Sequence, residues 1–218
     1  SRGLGDVYKR QTINNSLRFR QSASAYLSRT PGSAGNRRTW TLSMWVKRGA
    51  ITTSTPQPGL LAVDGSSDST EFNFGFGGTT DTIGINGWST TYRVTTQVFR
   101  DPSAWYHLVL AVDTTQATAN NRIRLYVNGS EVTSFSTLNN PTQNFDLPIN
   151  NNVLHYIARQ NTRYFDGYIA EVYMVDGSQL TPSSFGSTNA TTGVWQPKQY
   201  TGTYGTNGFY LQFSNIAL

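Results

Sequence analysis

Strict alternation of apolar and polar residues is what most limits the folds open to this chain. Trp40, Leu42, Met44 and Val46 alternate with Thr41, Ser43, Trp45 and Lys47. Successive side chains of a strand point to opposite faces, so this segment has one apolar and one mostly polar face and predicts a half-buried strand. Tyr106, Leu108, Leu110 and Val112 repeat the pattern, as do Ile123, Leu125 and Val127 between Arg122, Arg124 and Tyr126. Phe72, Phe74 and Phe76 alternate with Asn73 and Gly75, and Tyr92, Val94 and Thr96 with Arg93 and Thr95. Turn dipeptides stand between the runs: Asp64-Gly65, Gly77-Gly78, Asn86-Gly87, Asn128-Gly129 and Asp176-Gly177. Asn128-Gly129 directly follows Ile123 to Val127 and precedes Glu131 to Phe135. It predicts a two-residue hairpin turn with positive φ at both positions.

Composition supports sheet throughout. The 218 residues include 21 Ser, 29 Thr and 18 Asn but three Lys and three Glu, so the residues that build solvent-facing helices are scarce. Only Gln179 to Phe185 resembles helix, where Thr181-Pro182 supplies a cap and a proline at the first position. Ile169, Val172 and Met174 cannot share a face under strict alternation, which places a bulge near Ala170 and Glu171. No fixed-period repeat emerges, and the longest polar connection runs from Ser136 to Asn152. The expected fold is therefore all-β, a single domain of roughly twelve to fourteen strands arranged as a two-sheet sandwich. With no cysteine, disulfides and thiolate zinc sites are excluded. The net charge of +5 comes from scattered arginines without a long basic run, so no nucleic-acid partner is expected. No stretch approaches the roughly 18 apolar residues of a membrane span, so no membrane insertion is expected either.

The ends read differently from the middle. Within Ser1 to Gln11, the run Asp6-Val7-Tyr8-Lys9-Arg10-Gln11 is what the codons GAT GTG TAT AAG AGA CAG encode, and those codons look like a transposon-type sequencing adapter. Residues 1–11 are therefore expected to be translated adapter from the edge of an assembled metagenomic fragment, or a disordered arm. Without their net two positive charges, +5 becomes +3. The domain is expected over 12–213, with 214–218 a truncated tail.

Four blocks in order carry a family resemblance: Trp40 to Arg48, Trp105 to Asp113, Ile123 to Gly129, and Phe165 to Tyr173. They resemble the "W…W-V", "W-H-H-V-A", "LYVNG" and "G-x-I-D-E-V" blocks of the laminin-G-like, concanavalin A-like lectin/glucanase jelly-roll superfamily. Tyr106 replaces the first histidine of the second block, and Ala170 the acidic residue of the fourth. The resemblance covers about Ser16 to Gly186, and the segment Thr201 to Phe213 is similar to a closing strand in versions encoded by marine bacteriophages. It implies a jelly roll that binds carbohydrate or mediates adhesion at a virion surface or in the extracellular space.

An enzyme of this superfamily needs a carboxylate pair flanking a glycosidic bond. The only glutamates, Glu71, Glu131 and Glu171, form no E-x-D-x-E pattern, and His107 and His155 have no recognisable nucleophile beside them. No catalytic residue is expected. The resemblance also implies one calcium ion held by aspartates and carbonyls. The oxygen donors at hand are Asp64, Asp68, Asp81, Asp113 and Asp166, of which the turn pair Asp64 and Asp68 comes first. For ligand binding, Trp88 follows the Asn86-Gly87 turn, where an indole has little core to join and can stack on a sugar ring, with Tyr92 beside it. Asn161, Arg163 and Tyr164 form a second polar and aromatic rim. The expected protein is a non-catalytic carbohydrate-binding or adhesion module of a phage virion surface or tail fibre. Its expected partners are a surface glycan or host receptor and other virion subunits. A structural decoration module without a glycan site is the alternative, and a glycoside hydrolase on the same fold stands behind both.

Overall fold

The computed structural model describes residues 13–51, 58–77 and 80–214. The adapter-like segment 1–11 and most of the expected tail, 215–218, lie outside the described residues. Among the described residues no helix is long and apolar enough to cross a membrane.

In chain order the strands are β1 (Leu17–Phe19), β2 (Leu27–Arg29), β3 (Thr39–Arg48), β4 (Gly59–Val63), β5 (Phe72–Phe76) and β6 (Thr82–Asn86). Next come β7 (Thr91–Val98), β8 (Tyr106–Asp113), β9 (Ile123–Val127), β10 (Ser130–Glu131), β11 (Phe135–Leu138) and β12 (His155–Ile157). The chain continues with β13 (Arg159–Gln160), β14 (Arg163–Tyr164), β15 (Gly167–Asp176), β16 (Gly186–Thr188), β17 (Trp195–Pro197) and β18 (Phe209–Leu211). They form two seven-stranded antiparallel sheets. The first runs β1-β15-β3-β8-β9-β10 with β18 also on β15, and the second runs β11-β7-β6-β5-β4-β12-β2. Two small hairpins, β13-β14 and β16-β17, complete the jelly-roll sandwich.

The alternating residues meet between the sheets. Trp40, Leu42, Met44, Val46, Leu108, Leu110 and Val112 of the first sheet pack with Leu61, Val63, Phe72, Phe74, Phe76, Ile83 and Ile85 of the second. The indole of Trp40 meets the Phe72 ring edge-on at 5.7 Å, joining the two sheets. Trp105 is only part-buried, because it precedes β8 where the sheet has ended.

Local chemistry explains the joints. Asn128 and Gly129 both adopt positive φ, at 50° and 85°, in the two-residue turn between β9 and β10. β10 ends at Glu131, and Phe135 crosses to the second sheet as the start of β11 instead of extending the hairpin. The bulge expected on β15 lies between Ala170 and Tyr173, with Glu171 at φ 50°, and it returns Val172 and Met174 to the inner face. The expected helix is a single 3-10 turn, Pro182–Ser184, with the proline at its start.

The outer face of the first sheet is also buried. A second cluster of Val109, Ala111, Tyr126, Tyr173, Val175 and Phe185 packs with Leu180, Tyr200, Tyr204 and Tyr210, because the chain after Asp176 folds back over β15, β3 and β8. Trp45, read as a solvent-side residue, is buried too, stacked on His107 at 4.8 Å.

Candidate functional site

The β4-to-β5 loop, 64–71, organises the rim of the second sheet. Its Asp68 carboxylate accepts hydrogen bonds from the Ser89 amide (2.7 Å) and hydroxyl (2.8 Å) and from the Thr90 amide (3.2 Å) and hydroxyl (2.9 Å). Burial raises the carboxyl pKa, but the four donors outweigh it and hold Asp68 below the usual carboxylate range. Gly87 leaves room for this carboxylate, since a Cβ would stand 2.6 Å from Asp68 Oδ1 and force it to shift. The turn between β6 and β7 is thereby fixed, and it presents Trp88 with 58% of its surface exposed.

Tyr92 is not part of that surface. It is 2% exposed and belongs to the core, and burial with the nearby Asp68 charge pushes its phenol up to about 12. The register of β6 and β7 shifts where Ile85 faces Arg93 and Asn86 faces Thr91, so the intervening Tyr92 turns inward. It cannot stack on a ligand.

The second rim candidate meets the same loop from the other side. The Asn161 amide donates to both Asp64 oxygens at 3.0 and 3.1 Å, and Gln160 Nε2 donates to Glu71 Oε1 at 3.3 Å. The hairpin β13-β14 lies close against β4, where a Cβ on Gly59 would stand 2.8 Å from the Arg159 carbonyl oxygen. Asn161 is exposed, and Arg163 and Tyr164 are half-buried. Beside them the Arg159 guanidinium rests over Tyr156 at 4.2 Å, Tyr26 at 4.8 Å and Tyr164 at 6.0 Å. Tyr26, Tyr156 and Arg159 escaped the sequence reading because no local pattern links residue 26 to residue 159. Burial first, and then the Asp64 charge, raise the Glu71 carboxyl pKa against the opposing Gly65 amide and Arg163.

The aspartates proposed as calcium ligands are not gathered into one site. Asp64 and Asp68 serve the hairpin and the turn as above. Asp113 accepts from the Thr115 amide and hydroxyl, Gln116 and Thr39. Asp166 pairs with Arg18 at 2.7 Å and accepts from the Gln21 amide. Asp81 is clamped between Arg48 and Arg100, each at 2.8 Å. Among the described residues no three His, Cys, Asp or Glu side chains are grouped to hold a metal ion, so they do not fit calcium's demand for six to eight oxygens.

Among the described residues one Ser-His contact exists, and its polarity is wrong for catalysis. Ser43 Oγ lies 2.8 Å from His107 Nε2, while the Trp195 indole N–H donates to His107 Nδ1 at 2.9 Å. An indole nitrogen only donates, so the imidazole proton sits on Nε2 and points at Ser43. Burial pushes the His107 pKa down to about 3. Such a group cannot accept the serine proton. Glu131 faces Arg124 on β9, and Glu171 receives the hydroxyls of Tyr173 (3.1 Å) and Tyr210 (2.6 Å), so both lie away from Glu71.

The fold has counterparts among solved structures. A native heptameric SAP-like pentraxin from Limulus polyphemus aligns at 13% identity with a TM-score of 0.53, over 93% of this chain and 97% of that one. Domain 4 of an extracellular arabinanase from Geobacillus stearothermophilus, solved with arabinotriose, aligns at 20% identity with a TM-score of 0.45, over 68% of this chain and 65% of that one. A Trypanosoma rangeli sialidase aligns at 16% identity with a TM-score of 0.47, over 67% of this chain but only 22% of its own. These likenesses concern the fold alone. No curated protein matches the chain. The sequence profile of the Laminin_G_3 family matches residues 21–184, most of the chain, and the chain therefore belongs to the concanavalin A-like lectin/glucanase superfamily.

Proposed function

We propose that this chain is a non-catalytic carbohydrate-binding or adhesion module displayed on a phage virion surface or tail fibre. The observation that carries the binding role is Trp88, a largely exposed indole on a turn that Asp68 holds through four hydrogen bonds. A turn held before the ligand arrives lets its indole stack on a pyranose with less loss of backbone freedom. The same loop holds Asn161 and lies beside Arg163, which supply amide and guanidinium groups for sugar hydroxyls. The virion role rests on the resemblance of the segment Thr201 to Phe213 to phage-encoded versions, with other virion subunits and a host receptor as the implied partners. A glycan array with the intact chain and Trp88→Ala tests the binding role. Selective glycan signal lost in the variant supports it. Absence of any glycan signal would leave the structural decoration role in its place.

One observation favours a second reading. Glu71, with its raised carboxyl pKa beside Asp64 on the same rim, has the character of a general acid in a glycoside hydrolase. Release of reducing sugar from an array-positive glycan, abolished by Glu71→Gln with binding retained, would establish that activity.

A further inference from the structure

We propose that the sandwich also binds a long-chain carboxylate, an amphiphile of the fatty-acid class, in the apolar cleft at its open side. The cleft encloses about 530 Å³, a volume typical of small-molecule sites. It exists because two three-residue strands close the sheets poorly there. β2 is the outermost strand of the second sheet, β18 hangs on β15 of the first, and the two do not pair with each other. Leu27, paired with Ile157, and Leu61 beyond it make one wall. Phe209, paired with Met174, and Leu211 make the other. An unbranched hydrocarbon chain is the ligand body that such walls exchange for water most favourably.

Charge at the mouth selects the head group. Arg29 on β2 is exposed, lies over the Phe209 ring at 5.4 Å and donates to the carbonyl oxygen of Asn207 at 2.8 Å. Among the described residues no Asp or Glu lines the cleft. The deeper polar groups are engaged: His155 Nε2 accepts the Asn150 amide while Nδ1 donates to the Val153 carbonyl, and the Asn207 side-chain amide donates to the carbonyls of Ser33 and Asn150. The guanidinium, paired among the described residues with neutral oxygen only, is therefore the group that gains most from a ligand carboxylate. The exchange makes a charge-assisted and bidentate pair. The carboxylate sits at the mouth and the chain lies between the sheets.

Calorimetric titration of the whole chain with dodecanoate and dodecyltrimethylammonium below their micelle concentrations, and with dodecanol below its solubility limit, tests this. Dodecanoate is expected to bind one to one, dodecanol about tenfold more weakly, and the cation not measurably. Arg29→Gln removes the preference for the acid over the alcohol. Leu211→Trp, which fills the cleft, abolishes dodecanoate binding while keeping a cooperative melt, and Leu27→Trp serves the same purpose if that variant does not fold. Absence of dodecanoate binding, equal affinity for all three amphiphiles, or unchanged binding in a folded, cleft-filled variant overturns the proposal. A dimer that buries the cleft and that dodecanoate does not dissociate also overturns it, by assigning the cleft to a second copy of the chain.

Discussion

Asp68 holds Ser89 twice, at its amide and at its hydroxyl, and so fixes the backbone one residue beyond the exposed Trp88. Asp68→Ala is expected to cost about 1–3 kcal/mol of stability, since four donors lose a charged acceptor that water replaces only in part. Trp88→Ala should stay within about 0.5 kcal/mol of the parent, because the indole covers little. Glycan binding should fall in both variants, by about 1 kcal/mol or somewhat more for the lost stacking. Urea denaturation and the glycan array on the same preparations check the pair. Parent-like binding in folded Asp68→Ala would mean that the order of the turn is irrelevant to recognition.

Trp40 and Trp105 each open an apolar block, yet they differ in place. Trp40 is fully buried against Phe72, so Trp40→Ala should cost about 3–5 kcal/mol through lost transfer energy and a cavity between the sheets. Trp105 is part-buried ahead of β8, so Trp105→Ala should cost only about 1–2 kcal/mol. Equal losses in chemical denaturation would contradict the positions described.

His107 makes stability pH-dependent. Its folded pKa, about 3, lies below the ordinary 6.5, so between those values the unfolded chain binds a proton that the folded chain does not. Stability is therefore fully present above pH 6.5 and falls as the pH drops toward 3, with a slope approaching about 1.4 kcal/mol per pH unit from this group. His155, also lowered by burial, adds in the same direction. His107→Gln, which still offers an acceptor to Trp195 and a donor to Ser43, should flatten the profile in that window. An unchanged slope in the variant would show that other groups carry the acid sensitivity.

The strands and the Asn128-Gly129 turn were legible because alternation and turn chemistry are local. The bulge at Glu171 was legible too, since the three-residue step from Ile169 to Val172 breaks the period in the sequence itself. Ser43 and Trp45 misled because a period-two pattern describes one covered face. It carries no sign that residues as distant as Tyr200 and Tyr210 will cover the other. Tyr92 misled because its place beside the exposed Trp88 suggested a shared surface, whereas its ring belongs to the core. At the rim, the exposure of Trp88 followed from its turn. The docking of Asn161 on Asp64 spans 97 positions and the contact of Gln160 with Glu71 spans 89, so only the folded topology reveals that one loop serves both halves.

Calcium at millimolar concentration is expected to leave both the unfolding midpoint and glycan binding unchanged. The candidate carboxylates already hold the structure together: Asp68 fixes the Trp88 turn, Asp64 the β13-β14 hairpin, Asp113 its own loop, and Asp166 the Arg18 side chain. A cation at any of them must displace these donors and still find six or more oxygens, which none of the four offers alone. Were a site present, folded-state binding would raise stability by about 2.7 kcal/mol at a hundredfold excess of calcium over its dissociation constant. Thermal unfolding with calcium and with a chelator reads this directly. A rise of several degrees that Asp64→Asn abolishes would show that the loop 64–71 rearranges around a cation, and the rim would then be a calcium-dependent glycan site.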